Sequence, residues 1–217
     1  MGALRPEGGG RAARFASIVE GLRYLRGERL IQSTFVIDLN AMIFGMPRAL
    51  FPAMGTGFGG GASTVGLLFA APGAGAMLAA GTSGWVGAVS RRGRVVVGAV
   101  ILWGLAVAIF GFVPYLPVAL LLLAIAGGAD VISAVFRNTI LHLTLPDALR
   151  GRLSSIHSAV TGGGPRLGDF GSGAVASLTR IQFSVVSGGV ACVMGALAVA
   201  RYMPELWRYD ERRGPPP

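Results

Sequence analysis

Six apolar runs, at about 30–52, 62–89, 95–112, 116–142, 153–179 and 181–200, leave this chain few folds to choose from. Each is close to the ~20 residues that a helix needs to cross a hydrocarbon core about 30 Å thick. Lipid offers the backbone no hydrogen-bond partner, so each run must satisfy its own amides, as a helix does. With 53% apolar and 13% charged residues the composition lies outside the soluble range, and the chain reads as an all-α membrane protein of six transmembrane helices. Residues 1–29 are expected to form a cytoplasmic tail and linker helix, 30–200 the membrane domain, and 201–217 a second cytoplasmic tail.

All 19 basic residues are arginines, clustered between the runs. A net charge of +9 distributed in this way excludes nucleic acid as a partner, since that needs a basic face. What the clusters set is orientation. Six arginines precede the first run; Arg91, Arg92 and Arg94 separate the second from the third; Arg150 and Arg152 separate the fourth from the fifth; four follow the sixth. Only Arg48 and Arg180 fall on the opposite side, so the positive-inside rule places both termini in the cytoplasm. Ahead of the first run, Phe15, Ile18, Leu22 and Leu25 recur at helical spacing among arginines, the pattern of a basic amphipathic helix at a membrane surface. The first 29 residues hold no apolar signal-peptide core, so insertion through the chain's own helices is expected.

Charge inside the runs is the most specific functional signal. Asp38 and Asn40 fall in the first span, Asp130 and Arg137 in the fourth, Arg166 and Asp169 in the fifth. An Asp or Arg at the centre of a membrane helix costs roughly 2.5–3.5 kcal/mol on insertion scales, so such side chains face protein or a water-filled path. Gly127, Asp130, Ala134 and Arg137 share one helical stripe, and Arg166 and Asp169, three apart, are neighbours on another. Two readings follow. One is a polar pathway in which a carboxylate carries a proton while cargo moves. The other is a set of inter-helix ion pairs, such as Arg137 with Asp169 or Arg166 with Asp130, that fix register.

Glycine and alanine recur every three or four residues in 66–84 and 161–173, which lets helix backbones approach closely in lipid. Pro72 and Pro165 are expected to kink their spans, and Gly162-Gly163-Gly164-Pro165 to interrupt the fifth. No nucleophile elbow, Walker loop or HExxH motif is present, and neither His142 nor His157 has a histidine four residues on; both read as interfacial hydrogen bonders. Cys192 is the sole cysteine, which excludes an intrachain disulfide and a CxxC metal site. Met42 and Met46 could offer adaptable apolar contact, with lipid-facing packing the simpler account of both. No enzymatic activity, cofactor or metal is expected.

Several segments carry a resemblance. SIVEGLRYLR at 17–26, DLNAMIFGMPRALFPAM at 38–54, GLLFAAPGAGAMLA at 66–79, SGWVGAVSRRGR at 83–94, LPDALRGRLSSI at 145–156 and GGPRLGDFGSG at 163–173 together resemble the C-terminal six-helix half of a major facilitator superfamily transporter, of the bacterial drug and siderophore exporter branch. The resemblance implies half of a twelve-helix fold that rocks about a central cavity and couples proton entry to export of a small amphipathic cargo. It implies that Asp38, Asn40, Asp130, Arg137, Arg166 and Asp169 line the cargo and proton pathway. The loops with Arg91, Arg92, Gly93, Arg94, Asp147, Arg150 and Arg152 would gate its cytoplasmic side, the first being a degenerate copy of the family's Gly-x-x-x-Asp-Arg-x-Gly-Arg signature without its acid. Partners follow as the lipid bilayer of a bacterial inner membrane, the cargo, and a second six-helix half or a homodimer mate. The competing expectation is a non-transporting truncated protein or assembly subunit that needs such a partner.

Overall fold

The computed structural model describes residues 27–144 and 147–210, with the side chains at 83, 85, 88, 147–150 and 152–155 outside that description. Most of the expected tail and linker helix at 1–29, and residues 211–217, also lie outside the described residues. The described residues form helices, with no strand among them. In order these are α1 (Arg29–Phe44), a 3₁₀ turn (Arg48–Leu50), α2 (Phe51–Gly57), α3 (Ala62–Gly81), a second 3₁₀ segment (Ser83–Ala88), α4 (Arg92–Phe110), α5 (Leu116–Thr144), α6 (Asp147–Leu178), α7 (Ile181–Tyr202) and the short α8 (Pro204–Arg208). Arg29–Gly57 as one broken rod, α3, α4, α5 and α7 are each long and apolar enough to cross a membrane. α6 is the sixth rod and the longest at 32 residues, its apolar character diluted by glycines, Arg166 and Asp169.

Three boundaries differ from the sequence expectation, each for a local reason. The first span is broken: α1 stops at Phe44, and a new turn starts at Arg48. Pro47 has no amide to donate, and its ring pushes Met46 out of the helical region, so the ladder ends there. The second span ends at Gly81 instead of running to 89, where Thr82 turns its hydroxyl back onto the carbonyls of Leu78 (3.0 Å) and Ala79 (3.2 Å). The fifth begins at Asp147 and stays helical through 162–165, so the expected interruption is absent, and Pro72 likewise sits inside an unbroken α3. A proline within a membrane rod is tolerated where neighbouring helices satisfy what it frees.

Two glycines of α6, Gly164 and Gly168, let α1 approach closely. A methyl group at Gly168 would run into the Met42 carbonyl on α1, and one at Gly164 would press the Met42 side chain. The same holds between α3 and α5, where Gly75 meets the Ala124 carbonyl and Gly127 the Pro72 carbonyl. Lipid supplies no water to exclude, so this close packing and its dispersion contacts carry the association.

α5 packs along both α3 and α4, α4 continues onto α7, and α1 lies against α6 and α7. α4 is the most enclosed rod, with Val96, Val100, Trp103, Val107 and Phe110 all at or below 3% exposure. At the opposite extreme Met77, Leu78, Leu121, Phe170 and Leu178 on α3, α5 and α6 project outward. The arginine-rich end is closed by α8: Glu205 pairs with Arg29 at 3.5 Å, Asp210 with Arg91 at 3.9 Å, and the Arg94 guanidinium stands 5.4 Å over Trp207.

Candidate functional site

The break in α1 sets free backbone groups in the middle of a membrane rod, and two other helices supply their partners. Trp103 of α4 donates its indole N–H to the Gly45 carbonyl at 2.9 Å. Asp169 of α6 accepts the Ala49 amide through Oδ1 at 3.0 Å, at the start of the 3₁₀ turn. A carboxylate there meets the orphan amides and positive dipole end of a helix start, as an N-cap does. The gap in α1 is therefore held from both sides.

A half-open cleft of about 130 Å³ lies beside the break. Its lining includes Met46, Pro47, Arg48 and Phe51 from the break and α2, Pro72 and Gly73 of α3, Trp103 of α4, and Gly127 and Asp130 of α5. Two helical turns along α5 from Asp130, Arg137 reaches across to α1, where its Nη2 stands 2.7 Å from Asp38 Oδ1. Both residues are buried, Asp38 at 2% and Arg137 at 4% exposure, and Arg137 Nη1 also donates to Ser133 Oγ at 3.2 Å. The approach angle leaves Asp38 Oδ1 without a directed hydrogen bond, so the contact is chiefly coulombic. α1 packs closely on α6 and α7 and only sparsely on α5, so this ion pair spans the gap between two groups of helices.

Further charges surround the pair. His157 of α6 reaches Asp38 electrostatically, with its ring edge-on to Phe35 at 6.2 Å. Arg137, Asp38 and Arg48 are the charges that reach Asp130. Two acids, two arginines and a histidine from the α1 rod, α5 and α6 thus form one polar cluster in an apolar bundle.

The sequence candidates are dispersed around this cluster. Asp38, Asp130 and Arg137 come together. The ion pair is Arg137 with Asp38, not with Asp169, and Asp130 is not paired with Arg166. Asn40 donates to the Cys192 carbonyl at 2.8 Å and ties α1 to α7, while Arg166 is exposed on α6. Met42 is buried under α6 and Met46 lines the cleft, in place of the lipid-facing packing expected of them. Arg48, counted among loop arginines in the sequence, stands in the break. Arg48, His157 and Trp103 were not among the candidates; Gly45-Met46-Pro47-Arg48 in mid-span was a signal for Arg48 alone.

At the arginine-rich end Arg92 is buried, and Gly93 lies so close under the Leu206 carbonyl that any side chain would displace α8. Asp210 supplies Arg91 with an acid, which the degenerate loop motif lacks. The side chains of Asp147, Arg150 and Arg152 fall outside the described residues.

Comparison with known proteins gives a consistent result. A family profile described as transmembrane secretion effector matches residues 10–212. The enterobactin exporter EntS of Citrobacter koseri is 30% identical over 206 residues, 93% of this chain and 48% of that protein. The EntS proteins of Escherichia coli O81 and Salmonella choleraesuis are each 28% identical, over 205 and 207 residues, 92% and 93% of this chain, and 48% of each relative. The chain thus spans about half the length of the curated relatives it matches. No solved structure matches.

Proposed function

From the premise that this chain belongs to the transmembrane secretion effector family of the major facilitator superfamily, we propose that it forms one six-helix half of a proton-coupled exporter of small amphipathic molecules, working by alternating access. The exporters it resembles are named for enterobactin, and a cargo of drug or siderophore type follows for this chain by that likeness. The observation that carries the proposal is the buried Asp38–Arg137 pair spanning α1 and α5, with Asp130 lining a cleft beside it. A charge relay of this kind has little to offer as packing alone, because a buried ion pair roughly breaks even against apolar residues of the same volume. It has value where one member exchanges partners as a proton or cargo arrives.

In this proposal Asp130 is the proton-responsive carboxylate, Arg137 the cation shared between Asp38 and Asp130, and Arg48 the contact for an acidic cargo group. Arg166 and Asp169 belong to the α6 side of the same pathway, Asp169 by holding the broken helix and Arg166 by its exposed position. Asn40 fixes α1 against α7. The end bearing Arg91, Arg92, Gly93, Arg94, Asp147, Arg150 and Arg152 faces the cytoplasm of a bacterial cell, with both termini on that side. A second six-helix half, or another copy of this chain, covers the cleft, since Asp130 and Arg48 facing hydrocarbon would be costly.

Proton-dependent efflux from proteoliposomes holding both halves tests the proposal. Asp130→Asn should abolish the response of efflux to an imposed pH gradient while leaving the protein folded. Unchanged efflux with an unchanged pH response would remove Asp130 from the mechanism.

A further inference from the structure

Asp130 is half-buried, lines the cleft, and has neither a hydrogen bond nor an ion pair among the described residues. Arg48, also in the lining, is exposed and lacks a direct partner there, though it reaches Asp130 electrostatically. Much of the remaining lining is apolar and partly aromatic, with Phe51, Trp103, Met46 and Pro72. The Trp103 indole N–H is already engaged by the Gly45 carbonyl, so Trp103 offers the cleft its ring and no donor.

Size narrows what fits. Apolar cavities of about 150 Å³ hold a single benzene ring, and this cleft, at about 130 Å³ and open on one side, admits one ring with its substituent projecting. Chemistry narrows it again, because a carboxylate at the edge of an apolar site that arginines reach only electrostatically, with no direct hydrogen bond, is satisfied by a donor, most strongly by a cationic one. We propose that the cleft beside the α1 break is a binding subsite for one aromatic ring of the cargo, seated against Trp103 and Phe51, with a protonated amine or hydroxyl on that ring donating to Asp130. The inference rests on reading the chain as a carrier of small amphipathic cargo and assigns one portion of that cargo to one place.

The geometry also supplies a clean way to close the site. Gly73 lines the cleft and a Cβ there meets nothing within 4 Å, so it is the position at which a larger side chain can be introduced to occlude the site. Asp130→Asn keeps the shape and removes the charge.

The test uses the full chain in lipid nanodiscs with Trp85→Phe and Trp207→Phe, which leave Trp103 as the sole indole. The probe is 4-bromobenzylamine, whose bromine quenches indole fluorescence at contact; 4-bromotoluene is the neutral comparison. Expected are saturable quenching by the amine, roughly tenfold weaker binding in Asp130→Asn, loss of quenching in Gly73→Leu, and weak quenching by the toluene that Asp130→Asn leaves unchanged. Quenching that never saturates and is equal in all variants reports partition into lipid and overturns the proposal. So does saturable quenching indifferent to Asp130→Asn. Efflux measured separately on the assembled two-half protein keeps the two readings apart: saturable, Asp130-dependent quenching without efflux removes the transport reading and leaves the subsite, while efflux without it does the reverse.

Discussion

Substituting Arg137 by methionine should strand Asp38, and the structure bounds the consequence. At 2.7 Å, with an effective dielectric near 20, the pair's attraction is about 6 kcal/mol. Burying the two ions opposes this by several kcal/mol each, so the intact pair contributes little net stability. Loss of one partner is different, because the desolvation of the other remains uncompensated. Asp38 can escape by taking up a proton, which from the ordinary carboxyl value costs about 4 kcal/mol at pH 7 and sets the ceiling for Arg137→Met. We expect a loss of about 3–4 kcal/mol for Arg137→Met and about 3–5 for Asp38→Asn, but only about 1–2 for the double variant, where neither member of the pair is left charged without the other. The assay is SDS titration in mixed micelles followed by tryptophan fluorescence, assembled as a double-mutant cycle. Additive single losses in the double variant would show that the two residues do not act as a pair and would refute the reasoning.

The helix break and the close helix crossings give three further tests. Asp169→Ala removes the acceptor for the Ala49 amide and should cost about 1 kcal/mol, with faster amide exchange confined to the 48–51 turn. Trp103→Phe keeps the ring but strands the buried Gly45 carbonyl, a loss of about 1–3 kcal/mol in the same SDS titration. Gly127→Leu forces a side chain into the Pro72 carbonyl and should cost at least about 1–3 kcal/mol by overpacking, whereas Gly73→Ala, which meets open space, should leave the SDS midpoint unchanged.

Long-period features were legible in the sequence because each is decided within its own segment. A run of ~20 apolar residues must be a rod wherever its neighbours lie, and among the described residues six rods fold, five of them long and apolar enough to cross a membrane. Pairing was not legible, since Asp38, Asp130 and Asp169 are equivalent to Arg137 until the helices are placed. The ion pair joins residues 99 apart in sequence, and no local rule ranks that combination above the others. The two proline motifs show the same limit in another form. Gly-Gly-Gly-Pro at 162–165 carries more helix-breaking residues than Gly-Met-Pro at 45–47, yet only the latter breaks. Beside the former lies α1, whose Met42 occupies the space left by Gly164 and Gly168 and rewards an unbroken rod. Beside the latter stand Trp103 and Asp169, which take up the freed carbonyl and amide. Tertiary partners decide which weak point yields.

That arrangement also determines where the bundle can give way. α3 and α5 are locked backbone to backbone at Gly75 and Gly127, and α5 is packed along α4; on the other side α1 is seated on α6 through Gly164 and Gly168 and pinned to α7 through Asn40. Separating either group internally means breaking dispersion contacts along whole rods, which are individually about 0.1–0.2 kcal/mol but numerous. Between the groups, α4 meets α7 along one flank, while on the cleft flank α1 and α5 are bridged by the Asp38–Arg137 pair. An interaction that is nearly neutral when formed and large when half-broken is suited to that flank. On the proposed mechanism it would hold the cleft at one width while both charges are in place and release when either is neutralised or offered another partner. On the same proposal Asp130, seven residues from Arg137 on the same rod and within electrostatic reach of it, would be the alternative partner.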